Sequence, residues 1–487
     1  KLTHLRSVGT VQVMSRNTGA NPEIAVNRFP WMWALSVYIL AYGLILTFMS
    51  SYFWDDWPGY YQNTDGAIEQ AFLIRGDLPT RAFLEITILG TRPELFRLLT
   101  LVAYFASGWF LFQILNTLDF LKNNQVRLIT ILFLILPINS ARVAMVDLAY
   151  ACSFLLFFWA WFLLVRKSGW IKDLLALLLF LLSFGATASL LVFLLVPCAH
   201  ILYLRLHDSS LIRNRAWLSS LAIFLISPAF WFLDRRFNSP QGHYLTMYSL
   251  QKSGVARALI LLFIACSVLL WLVKVGRHDL TEKHRNLLIS LGIILVIIGA
   301  APYIVAGHLV DVSEWMFNFV PRASDWSSRH QLLLGLGLAV VIVGILGELE
   351  TKFKRHLVFV IIGICVLLNM TFMHAYFLDS LKQDEFIDAI KQNTELSTSK
   401  VIMIDDQAER FNARGRFVRY YEWDSMFASA YGNDTKHTIS GLSYVDCASD
   451  LIPDTLLTIT ATTGRLKATL LRDIGINIAV TKIDPCP

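Results

Sequence analysis

The sequence predicts an all-α polytopic membrane protein, with about eleven transmembrane helices followed by a small C-terminal α/β domain. Three observations predict it. Hydrophobic residues make up 55% of the 487 and charged residues only 16%, with a mean hydropathy of +0.54; a soluble domain usually carries about a quarter charged residues. The apolar runs are too many and too long for buried strands, and single runs match the roughly 30 Å of a bilayer core when helical. Past residue 379 the composition becomes that of an ordinary soluble chain, with strand-like runs.

The first span is WMWALSVYILAYGLILTFM (31–49), which begins well inside the sequence and is followed by more spans, as an anchoring helix is and a cleaved signal is not. The others lie at roughly 97–118, 127–140, 147–165, 170–185, 187–204, 217–233, 255–274, 287–305, 331–347 and 357–378. The connections LKNNQVR (121–127), RKSGWIK (166–172), RLHDSSLIRNR (205–215), KVGRHDLTEKHR (274–285) and ELETKFKRH (348–356) are rich in Lys and Arg, as is the segment 1–30 with Lys1, Arg6, Arg16 and Arg28. Basic loops face the cytoplasm, so 1–30 is expected inside. The first outer loop 50–96, the loops 141–146, 234–254 and 306–330, and the soluble domain 379–487 are expected outside, beyond the transmembrane domain 31–378. Within 50–96, DGAIEQAFLIRG (65–76) and FLEITILG (83–90) are too short to span and read as interfacial helices. Trp31, Trp33, Trp54 and Trp57 sit where an aromatic belt is expected. The C-terminal domain opens with the polar helical stretch SLKQDEFIDAIKQN (380–393), and KVIMID (400–405) and INIAVTKI (476–483) read as strands.

Four of the six cysteines fall in spans and behave as small apolar residues. Cys447 and Cys486 lie in the outer domain, where a disulfide and two free thiols are both open readings. The modest net charge of +6 gives no ground for a nucleic-acid partner. Gly335, Gly337, Gly344 and Gly347 imitate a nucleotide fingerprint but lie in a span, where small residues serve helix packing. Asp405 and Asp406 follow a strand and end it.

The chemistry concentrates in SSYFWDDWPGYY (50–61). Asp55 and Asp56 repel one another and lose hydration at a membrane boundary, a costly placement that is usually functional. One carboxylate acting as general base, with the other orienting the site or holding a divalent cation such as Mg2+ or Mn2+, is one reading; helix capping in interfacial water is the other. The loops offer phosphate-binding cations, chiefly Arg235 and Arg236 with His243 and Tyr244, then Arg322, Arg329 and His330, with Arg81 and Arg142 elsewhere; contact with anionic membrane lipids is the plainer role. Asp147, close to Arg142, is a second acid or half of a local ion pair.

A long first helix ending in an aromatic-flanked Asp–Asp, then a long loop with interfacial helices, resembles the GT-C superfamily of membrane glycosyltransferases. SYFWDDW is most similar to the bacterial O-antigen-modifying, serotype-converting Gtr glucosyltransferases, whose first loop carries Tyr–x–x–Asp–Asp; Tyr52, Asp55 and Asp56 stand at that spacing. The resemblance implies a polyprenyl-phosphate sugar donor, a lipid-linked glycan acceptor, an inner-membrane location and Asp55 or Asp56 as base; Tyr52, Trp54 and Trp57, which flank the pair, are candidate substrate contacts. A polysaccharide polymerase or ligase is a neighbouring alternative. A lipid-linked glycan flippase is disfavoured because the predicted span centres hold almost no ionisable residues.

Overall fold

The computed structural model describes residues 29–43, 49–54, 56–57, 92–166, 169–185, 189–207, 215–237, 280–305, 332–347, 351–432, 437–440 and 453–483. The predicted span 255–274 and the two interfacial helices of the first loop lie outside them.

The protein is mostly helical. Helix α1 (Trp31–Tyr38) runs into a π-helical turn, Ile39–Gly43. Helix α2 (Pro93–Leu115) starts on a proline, which has no amide to leave unsatisfied at that position. Then come α3 (Asn123–Ile135), a 3-10 turn (Ala141–Val143) and α4 (Asp147–Val165). Beyond them lie α5 (Trp170–Ser183), α6 (Ser189–Phe193), α7 (Leu195–His207), α8 (Arg215–Phe237), α9 (Leu280–Val305), α10 (Leu334–Leu346) and α11 (Thr351–Lys391). Among the described residues, four helices are long and apolar enough to cross a membrane, namely Pro93–Leu115, Asp147–Val165, Arg285–Pro302 and Lys352–Lys391. Four shorter apolar helices stand beside them, among them Asn123–Ile135 where a span at 127–140 was expected. Trp170, Ile171, Leu174 and Leu178 on α5, and Phe353, Phe359 and Leu367 on α11, are exposed; so continuous an apolar surface suits lipid and not water.

Two hydrophobic cores result. The larger gathers residues of α1 to α10 and the first half of α11. At the crossing of α9 and α10 the backbones nearly touch: a Cβ on Gly337 would lie 2.6 Å from the Val296 amide nitrogen and 2.8 Å from the Gly292 carbonyl oxygen. That is the packing role expected of the span glycines.

Helix α11 carries the last expected span into the expected polar helix. The span 357–378 and the polar stretch 380–393 have separate bounds in the sequence. One helix of 41 residues runs from Thr351 to Lys391, about 60 Å long at 1.5 Å per residue, twice the hydrocarbon thickness. Nothing in 378–381 breaks helical geometry: the change is in polarity, from lipid-facing to sheet-facing, with no Gly or Pro to end the helix. Its second half, with Leu378, Phe386, Ile387 and Ile390, enters the second core.

That core is built on a four-stranded sheet of order β2-β1-β3-β4, with β1 (Val401–Asp406), β2 (His437–Ser440), β3 (Thr455–Ala461) and β4 (Ile476–Lys482). Strands β2 and β3 pair parallel to β1, and β4 pairs antiparallel to β3. The buried Val401–Ile404 run marks β1 as central. Short α12 (Thr394–Thr398), α13 (Tyr420–Tyr431) and α14 (Arg465–Leu471) complete the unit. The two predicted strands are thus present, and Asp406, at the end of β1, meets Lys382 at 2.5 Å.

Replacing Gly337 by Ala is expected to destabilise the α9–α10 crossing by about 1–3 kcal/mol. Gly363→Ala, where an added Cβ meets nothing within 4 Å, is expected to be neutral or stabilising by up to about 1 kcal/mol. Thermal unfolding midpoints of both variants in detergent check the contrast.

Candidate active site

The segment Met49–Trp57 passes between the two cores. Phe53 and Trp54 belong to the first; Trp57 belongs to the second, with Tyr52 packed against it. The chain reverses through a turn in which Asp56 N–H donates to Phe53 O at 3.0 Å and Trp57 N–H to Trp54 O at 3.2 Å. Trp54 adopts φ 51°, a left-handed conformation that a bulky L-residue holds only under outside constraint. Trp54 and Trp57 are 3% and 2% exposed, which corrects their assignment to an aromatic belt: the turn folds both rings inward, Trp54 onto Tyr376 (5.7 Å between centroids) and Trp57 onto Tyr52 (5.2 Å).

Asp56 is wholly buried. Its Oδ2 accepts the amides of Met145 at 2.9 Å and Phe53 at 3.3 Å, and its Oδ1 accepts that of Val146 at 3.2 Å. The bond back to Phe53 is the return half of a capping box; the other two pull in the loop that ends at Asp147. Burial pushes the Asp56 carboxyl up to about 7, against the opposing pull of the Met145 amide and the Arg97 charge. Both oxygens are engaged by backbone donors, with a guanidinium nearby. Among the described residues no group of three or more His, Cys, Asp or Glu would hold a metal.

Arg97, which the sequence reading passed over, locks the same geometry from the other side. It is 1% exposed. Its Nε donates to Val143 O at 2.8 Å, its Nη2 to Ser51 O at 2.5 Å and its Nη1 to Met49 O. The guanidinium also lies 5.5 Å from the Phe53 ring centroid. An arginine near the start of an apolar helix, in PELFRLLTLV, is costly unless its donors are met, and that cost was the available signal. Ser51 adds a tie to α11, with Oγ 2.6 Å from Ser380 Oγ and 3.2 Å from Asp384 Oδ1.

The loop that Asp56 holds carries Arg142 and Asp147, both buried. Arg142 lies 4.3 Å from the ring centroids of Tyr42 and Tyr104, and its Nε and Nη1 have no hydrogen-bond partner among the described residues. Asp147 accepts the Tyr104 hydroxyl at 3.2 Å and Asn139 Nδ2 at 3.5 Å. The acid expected from a later loop therefore sits one residue beyond Val146, whose amide Asp56 grips. Arg236 is exposed near the end of α8, and Arg235 lies in the same helix. Asp55, Arg81, His243, Tyr244, Arg322, Arg329, His330, Cys447 and Cys486 lie outside the described residues.

The raised Asp56 carboxyl has a consequence for stability. Its ordinary value is 3.8 and burial moves it to about 7, so between the two the fold keeps a proton that the unfolded chain releases. Stability is then greatest at the acid end and falls as pH rises from about 4 to about 7, by up to about 1.4 kcal/mol per pH unit. Asp56→Asn cannot titrate and is expected to flatten that fall, as read from unfolding midpoints in detergent across this range.

No family model matches the sequence, and no curated protein matches it. Among solved structures, the fold is similar to the archaeal oligosaccharyltransferase AglB from Archaeoglobus fulgidus, in complex with an inhibitory peptide and a dolichol-phosphate. The identity is 10% and the TM-score 0.35, over 88% of this chain and 69% of the other. A score of that size carries no inference about activity.

Proposed function

We propose that this protein is a GT-C-type membrane glycosyltransferase that moves a sugar, glucose in the leading reading, from a polyprenyl-phosphate donor to a lipid-linked glycan such as O-antigen. The observation that carries the reading is the treatment of the acidic pair: a buried Asp56 gripped by three backbone amides, beside a tryptophan held at φ 51°. Local cost of this kind gathers where side chains must be aimed. With both Asp56 oxygens engaged, the division of labour follows: Asp56 orients the turn and its neighbour Asp55 is the base.

In this mechanism Asp55 takes the proton of an acceptor hydroxyl as its oxygen attacks the anomeric carbon. The bond from that carbon to the phosphate oxygen breaks, the anomeric centre inverts, and polyprenyl phosphate leaves with the bonding electron pair. Cations stabilise the departing phosphate. Arg142 supports that part of the reading, being a buried guanidinium whose Nε and Nη1 have no hydrogen-bond partner among the described residues, on the loop that Asp56 holds. Arg81, Arg235, Arg236, Arg322 and Arg329, with His243, Tyr244 and His330, are the further candidates for donor and acceptor contacts. The basic-loop pattern supports an outer-face site with 379–487 outside, and the family resemblance supports a bacterial inner membrane, which would make that domain periplasmic.

The test offers purified protein polyprenyl-phosphate glucose and a lipid-linked glycan, with transfer followed by mass spectrometry. Asp55→Asn is expected to lower turnover by about a hundred- to ten-thousand-fold while donor binding persists. Asp56→Asn is expected to cost less and to alter stability as well. Transfer at the parent rate by both folded variants would remove the pair from the chemistry, and transfer of whole repeat units only would replace this reading with a polymerase.

A further inference from the structure

The sheet unit reaches into the acidic turn through one buried ion network. Arg416, itself 5% exposed, lies between two carboxylates that are wholly buried, Asp379 on α11 and Glu422 on α13. Its Nε donates to Asp379 Oδ2 at 2.6 Å, its Nη2 to Asp379 Oδ1 at 3.1 Å and its Nη1 to Glu422 Oε2 at 2.6 Å. The remaining acceptors are filled from within the unit and from α11: Asp379 also takes the Ala413 amide at 2.8 Å and Gln383 Nε2 at 2.9 Å, and Glu422 Oε1 takes the Arg419 amide at 3.1 Å.

One bond leaves this network for the membrane-proximal turn. Glu422 Oε2 accepts the Trp54 amide at 3.1 Å. The Arg416 guanidinium lies 5.6 Å from the ring centroids of both Phe53 and Trp54. The residue whose amide is caught is the one in left-handed backbone, at φ 51°, immediately before Asp55. A buried charge needs its hydrogen bonds, and here that need is met by gripping the most constrained residue of the turn.

We infer that Glu422, held by Arg416, is a positioning residue that fixes the backbone of the turn at Trp54, the residue before the acidic pair, so the C-terminal unit is a working part of the site; its bearing on transfer rests on the reading that this pair carries the reaction. A network serving only to staple the sheet to α11 would not need the Trp54 bond. The same unit has such a staple in Lys382, whose Nζ meets Asp406 Oδ2 at 2.5 Å and Asn412 Oδ1 at 2.6 Å.

The test compares amide hydrogen exchange over residues 50–57 with transfer kinetics. In Glu422→Ala, exchange there is expected to quicken by about tenfold or more, with a comparable loss in kcat and a smaller change in KM. Glu422→Gln keeps an acceptor oxygen and is expected to restore most of both. Asp406→Asn breaks the other staple and is expected to lower the unfolding midpoint without quickening exchange in 50–57. Unchanged exchange in 50–57 for folded Glu422→Ala overturns the inference. If that variant does not fold, unchanged exchange in Arg416→Lys, which loses the two-pronged contact with Asp379, overturns it equally. Quickened exchange in a protein that transfers no sugar supports the positioning role and removes the proposed activity instead.

Discussion

A carboxylate removed from water must be met by donors, and at Asp56 the donors come from two segments far apart in the chain, the turn at Phe53 and the loop at Met145–Val146. That requirement organises the region. Once Asp56 is buried, the loop before α4 cannot lie elsewhere, and Arg142 and Asp147 are brought with it. Arg97 answers the same problem with opposite sign, spending its donors on carbonyls of Met49, Ser51 and Val143. Backbone dipoles thus solvate a buried acid and a buried base side by side, and each draws together the strands of chain that the other also touches.

The turn lies on a seam. Phe53 and Trp54 pack in the core of the apolar helices, and Trp57 packs in the core of the sheet unit. Helix α11 contributes to both cores along one uninterrupted axis, which keeps them in a fixed relation. Breaking one partner of a buried ion pair generally costs about 3–5 kcal/mol because it strands the other charge, and the Asp379–Arg416–Glu422 network sits on this seam. In Arg416, burial alone would lower the pKa of the guanidinium; the two carboxylates outweigh it and hold it above its ordinary range. The Arg416 guanidinium therefore keeps its charge between the two carboxylates.

Several features were legible from residue order. Apolar runs announced the helices, and the 400–405 and 476–483 runs announced two strands of the sheet. The glycines of α10 carried their packing role openly, and the adjacent acids flanked by tryptophans marked the turn. Arg97 was missed, although a cation within an apolar helix start is costly and was a signal in the residue order. The continuity of α11 across 378/379 was not legible, because polarity changes there while helical propensity does not, and hydropathy cannot separate the end of a membrane-facing surface from the end of a helix.

The sequence by itself determined that this is a mostly helical membrane protein with a small sheet unit and a costly acidic pair, since burial of apolar surface and the cost of desolvated charge depend on local composition. Only the tertiary structure decided what that pair rests on. The amides of Met145 and Val146 have no side-chain signature, and Asp379, Arg416 and Glu422 look like ordinary surface charges until folding places them around Trp54. Hydrogen bonds to backbone, and ion pairs across distant segments, are properties of distance in space, which residue order does not carry.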